Sequence, residues 1–130
     1  MIYEHKELWS RRSGTFCVEV SRHENRYQSS GPNVWCVYIY LYAKHPRFVH
    51  VASGGELGFD LHGGETYRRI HRNEKGNPSC VQIGCDYNHL YDERFTDFDT
   101  KEDALEVFFD ADKLFAWADA QTATEPNVSC

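Results

Sequence analysis

The 130-residue chain is notable first for what it lacks. No apolar run approaches the roughly 18 residues that a membrane-spanning helix needs. Mean hydropathy is −0.65, so no membrane partner is expected. Met1-Ile2-Tyr3-Glu4-His5-Lys6-Glu7 shows none of the basic-then-apolar pattern of a secretory leader. The expectation is therefore action in the cytoplasm. There is no Cys-x-x-Cys pair. The five cysteines (Cys17, Cys36, Cys80, Cys85 and Cys130) are odd in number, and four lie in strand-like segments. They read as reduced, buried thiols rather than disulfides or zinc ligands. Neither a Walker nor a dinucleotide glycine pattern follows Ser53-Gly54-Gly55 or Gly63-Gly64, and no lysine stands where a phosphate would require it. Repeats, low-complexity tracts and linkers are missing too. The length suits one domain spanning 1–130, with 1–13 as an N-terminal arm or short helix and 120–130 as a tail.

Charge is present but unevenly placed. Net charge is −6. Residues 1–85 hold 11 Lys/Arg against 8 Asp/Glu, whereas residues 86–119 hold 3 against 11. A strongly acidic third argues against direct nucleic-acid binding. It suits either a solvated helix face or a protein partner with a basic surface.

Aromatics make up 15% of the chain, so sheet and ring packing should carry much of its stability. Phe16, Val18 and Val20 alternate with Thr15, Cys17 and Glu19, which predicts a half-buried strand. Val34 to Ala43 is apolar on both parities, with Trp35, Val37, Ile39 and Leu41 on one and Cys36, Tyr38, Tyr40 and Tyr42 on the other. That predicts a central strand, paired antiparallel with the first. Phe48-Val49-His50-Val51 reads as a short strand or extended piece. Leu57 to His62 alternates as a strand, Thr66 to Ile70 resumes as one, and Cys80 to Cys85 is another. Thr100 is a helix N-cap with Asp103 three residues on. Ala104, Val107, Phe108, Ala111, Leu114, Phe115 and Ala118 then recur at helical spacing. The predicted fold is α+β: an antiparallel sheet of four to six strands with one C-terminal amphipathic helix packed on it.

The most chemically loaded stretch is 62–92. His62, Asp86, His89 and Asp92 can converge if the 57–62 and 80–85 segments are neighbours and 86–92 is helical. Two imidazoles and two carboxylates suit zinc, manganese or iron(II), and such an ion could activate water for hydrolysis. The same residues equally make a structural network that fixes glycine-containing loops. Cys85 shares parity with Val81 and Ile83, and a thiol in that company is inert. Arg68, Arg69, Arg72 and Lys75 read as a solvated strand and turn, with a nucleotide site using the glycine loops as the weaker reading. Phe109 and Trp117 fall off the helix stripe. They either complete the core or meet a partner alongside Glu102, Glu106 and Asp110.

His45-Pro46, His62-Gly63-Gly64-Glu65-Thr66-Tyr67 and Gly84-Cys85-Asp86-Tyr87-Asn88-His89 together resemble elements of short, poorly characterised proteins carried by bacteriophages and plasmids. The resemblance covers about half the chain, roughly 34–92. It implies an accessory protein of a mobile element, of the kind that counters host defence as anti-CRISPR inhibitors do, and it supplies no catalytic residues. The reading is thus a protein that works by protein–protein binding through an acidic surface, with no cofactor or with a divalent metal, and with homodimers open. The alternative is a metal-dependent hydrolase or metal-binding protein.

Overall fold

A computed structural model describes residues 3–25 and 32–124. Five strands form one antiparallel sheet: β1 (Tyr3–Arg12), β2 (Phe16–Asn25), β3 (Asn33–Tyr42), β4 (Tyr67–Arg72) and β5 (Pro78–Asp86), in the order β1-β2-β3-β5-β4. Among the described residues three helices lie in the connections and at the end: α1 (Phe48–Ala52), α2 (Glu93–Thr96) and the long α3 (Leu105–Thr124). The α+β class and the C-terminal helix stand as predicted.

β3 is the middle strand, as its two apolar parities require. Val37, Ile39 and Leu41 pair with Val20, Val18 and Phe16 on one side and with Cys85, Ile83 and Val81 on the other. All nine are buried and form the sheet's contribution to the core. Ala104, Val107, Ala111, Leu114 and Ala118 close that core from α3. The predicted stripe is therefore the buried one. The cap is also real, since Thr100 Oγ1 accepts the Asp103 main-chain N–H at 3.2 Å. The regular helix begins one turn later, at Leu105, and runs through much of the segment read as a tail. Residues 125–130, with Cys130, lie outside the described part.

Three local expectations are corrected. Residues 3–12 are an edge strand, neither helix nor irregular arm. Trp9 turns inward and stacks on Trp35 with centroids 5.6 Å apart, while Leu8 is exposed. Residues 48–52 are a helix, because Pro46 ends β3's extension and the Arg47 and Val49 carbonyls then accept helical bonds from Val51 and Ser53. Residues 57–62 form a loop, with Gly58 at φ +91°, a conformation that no strand adopts.

The strand order explains where that loop goes. β3 ends at Tyr42, opposite Cys80, whereas β4 begins at Tyr67, opposite Gly84. The connection must therefore travel the length of β5 before β4 can start. It crosses on the helix side, where Phe48, Val51 and Leu57 enter the core. This passage delivers His62 to the far end of β5, beside Tyr87. His45 anchors its start. The ring accepts the Arg47 N–H at Nδ1, and Nε2–H donates to the Ala118 carbonyl of α3 at 3.0 Å.

Candidate functional site

Beyond β5, residues 87–92 are bends and turns and not a helix, yet His62, His89 and Asp92 still meet. Each offers one ligand atom, and these atoms all lie within 4.8 Å of one another. Asp92 is the hub. Its Oδ1 is 2.7 Å from His62 Nε2, and its Oδ2 is 2.8 Å from His89 Nδ1 and 3.0 Å from the His89 main-chain N–H. Burial by itself pushes the Asp92 carboxyl up. The main-chain N–H and the two imidazoles outweigh it and hold the group below the usual carboxylate range. An ionised carboxylate only accepts, so both rings donate to it.

Rings fix the two imidazoles from outside. His62 lies flat on Tyr87, with centroids 4.1 Å apart and planes at 13°, and meets the edge of Phe95 at 5.6 Å. His89 stacks on Tyr91 at 5.3 Å. Gly63 makes the close approach possible. Its φ is +67°, and a Cβ there would sit 2.4 Å from His89 Cε1 and 2.9 Å from the Tyr91 hydroxyl. The glycine of the His-Gly-Gly element is thus required twice, by backbone and by space.

Asp86 stands apart from this group. It ends β5, its Oδ1 caps the Asn88 N–H at 3.1 Å, and it comes no nearer than 3.8 Å to His89 Nδ1. The predicted four-residue set is therefore three residues and a neighbour. Asp92 Oδ1 and Oδ2 already accept the two imidazole N–H protons. A divalent ion bound by the three residues would take the place of those protons, with two nitrogens and an oxygen as donors. The imidazoles are 17% and 24% exposed and Asp92 is fully enclosed, so access runs past the rings.

Next to the cluster lies a cleft of about 300 Å³ between the 59–62 loop and α3, lined by His62, Tyr87, Glu106, Asp110 and Lys113 among others. The Tyr87 hydroxyl donates to Asp110 Oδ2 at 2.6 Å, and burial followed by that bond pushes the phenol far above its ordinary value. Cys85, in the same wall, is buried and pushed up to about 12 by burial, which agrees with an inert thiol.

The five residues proposed for a partner separate into two groups. Glu102, Glu106 and Phe109 are exposed. Asp110 is engaged by Tyr87, and Trp117 packs on Phe59 with centroids 5.6 Å apart, completing the core over the loop. Leu105, absent from the predicted stripe and from the predicted partner residues, is 50% exposed, and Phe109 is 61% exposed. They stand at i and i+4, on one side of α3. The signal was available, because Leu105 is one residue off the buried stripe and four before Phe109. Arg94 holds Glu106 through a forked contact at 2.7–2.8 Å. Arg68 and Arg69 point to opposite faces of β4. Arg68 is bound to Glu65 and to the Val51 carbonyl, so the pair is no joint phosphate site.

Among the described residues no helix is long and apolar enough to cross a membrane. Comparison of the chain with known proteins finds no matching family model, no matching curated protein and no matching solved structure.

Proposed function

We propose that this protein acts by binding another protein through the start of α3. The observation that carries the reading is the pair Leu105 and Phe109, half or more exposed one turn apart and rimmed by Glu102, Asp103 and Glu106. Apolar side chains at i and i+4 with a charged rim are what a helix offers to a groove, and exposed aromatic anchors dominate such interfaces. The acids select a basic partner and speed its encounter. The resemblance to phage- and plasmid-borne proteins makes a nucleic-acid-handling host defence complex the partner class to try. The test is capture from bacterial lysate with the native chain and with Leu105→Ser/Phe109→Ser. A protein that the native chain retains and the double variant releases supports the reading. Identical capture by both removes it.

The His62, His89 and Asp92 group favours a second reading, a divalent metal site with one coordination position open toward the cleft, which would give a metal-dependent hydrolase or metal-binding protein. Metal analysis of protein purified without an affinity tag tests it. Near-stoichiometric metal that disappears in Asp92→Asn supports it. Less than about a tenth of an equivalent, with no metal-induced rise in melting temperature, removes it.

A further inference from the structure

The helices all pack on one face of the sheet, so the other face carries a second set of side chains that the readings above do not use. The strand registers place them in rows across the sheet. One row runs Arg12, Cys17, Tyr40, Gln82, Arg69. The next runs Ser10, Glu19, Tyr38, Gly84, Tyr67, and on the other side Tyr42 stands opposite Cys80 and His71. Aromatic rings therefore recur along β3 at every second residue, about 6.8 Å apart.

Packing leaves the Tyr38 ring lying down on the sheet rather than standing up from it. A Cβ on Gly84 would come 2.3 Å from Tyr38 Cδ1, so the Tyr38 ring rests across the bare backbone of β5. Tyr67, 38% exposed, meets it edge to face at 5.6 Å. His71 tilts against Tyr40 at 6.2 Å and is held by Gln82 Oε1 at 2.8 Å. Tyr38 and Tyr40 are half-buried by these contacts, and the ring surface each still exposes is one on which a base can stack.

Charge is segregated in the same way. The acidic residues of 86–119 belong mainly to the α2–α3 layer, on the far side of the sheet. On the open face the described acids are Glu19 and, at the end of β5, Asp86. The Tyr40 row has an arginine at each edge and no acid, and both Arg12 and Arg69 are exposed. Four strand spacings separate them, about 19 Å, the reach of a few extended nucleotides. The net negative charge of the chain thus does not describe this face.

We propose that the tyrosine face binds single-stranded nucleic acid, with bases stacked on Tyr38 and Tyr40 and the phosphate backbone held at Arg12 and Arg69. Aromatic stacking with flanking arginines binds single strands with little sequence preference and strong salt dependence. This surface is separate from α3, so it stands or falls independently of the protein-binding reading.

The test is fluorescence anisotropy with labelled oligonucleotides of about 12 residues, oligo-dT in one arm and oligo-U in the other, at about 50 mM and higher salt. Binding in either arm is expected. Tyr40→Thr should weaken it about tenfold, whereas Tyr40→Phe should keep it. Arg12→Ser/Arg69→Ser should weaken it further and flatten the salt dependence by about 1.4 in log–log slope. Arg12→Ser/Arg69→Ser keeps the proposal testable where Tyr40→Thr fails to fold, since both arginines are exposed and removable without touching the core. No binding in either arm overturns the proposal, as does binding indifferent to both Tyr40→Thr and the arginine pair. A native dimer by light scattering that Tyr40→Thr or Arg12→Ser/Arg69→Ser turns into monomer also overturns it, because the face is then occupied by a second copy.

Discussion

The 62–92 cluster and the start of α3 are the two most conspicuous polar regions of the helix layer, and they are built in opposite ways. In the cluster every strong group is answered. Asp92 takes two imidazoles and a main-chain N–H, and each imidazole is covered by a tyrosine ring. On α3, Leu105 and Phe109 lie in solvent with little to cover them. Hydrogen bonds satisfied within the chain stabilise the fold. Apolar surface left in water stabilises nothing until something covers it. The difference is the basis for proposing the first region as a lock on the fold and the second as a surface that meets a partner, and stability measurements can separate the two.

The largest effect should come from Asp92→Ala. It leaves two ring donors and a main-chain N–H without their acceptor in an enclosed site, so a loss of about 3 kcal/mol in urea unfolding is expected. A loss below about 0.5 kcal/mol would break the comparison, since the cluster would then not be a lock. Gly63→Ala comes next. It places a Cβ at φ +67° against His89, for a cost of about 2 kcal/mol, and the His89 ring signals should shift in NMR spectra.

Acid should open the same lock. The Asp92 carboxyl is held below its ordinary value in the folded state. Its contribution is therefore complete above the unfolded carboxylate value, about pH 3.9, and is lost as pH falls through the lower folded value. The unfolding midpoint of the native chain should fall more steeply below about pH 4 than that of Asp92→Asn. Parallel curves would show that the carboxylate contributes nothing there. The smallest effect on stability is expected from Leu105→Ser/Phe109→Ser, within about 0.5 kcal/mol of the native chain. A large loss would move those side chains from the surface into the structure.

Much of the fold is legible in the sequence because its central elements obey their periodicities. β2 and β5 alternate, β3 is apolar on both parities as a central strand should be, and α3 carries an unbroken stripe with a threonine cap. The failures have physical causes. β1 is an edge strand. Trp9 is, among its described side chains, the one packed against the core cluster, and its charged residues, which protect an edge from further pairing, erase the alternation. Phe48-Val49-His50-Val51 is β-branched and apolar but too short for its period to decide between helix and strand. Leu57 to His62 alternates because Leu57 and Phe59 reach α3 and the core from a loop, and alternation alone does not distinguish that from a strand. His62, His89 and Asp92 were legible as residue types in suggestive spacing. Their convergence came by another route, a long crossover and a turn in place of a strand and a helix. That is why Asp86, which needed the helix to join them, stays outside.

On the proposed reading, the start of α3 is a working surface with no structural duty. Quantitative capture by the native chain and by Leu105→Ser/Phe109→Ser, at matched melting temperature, tests it most directly. The prediction is a specific bacterial protein enriched by the native chain and lost at least about tenfold with the variant. Equal enrichment by two equally stable proteins would contradict it.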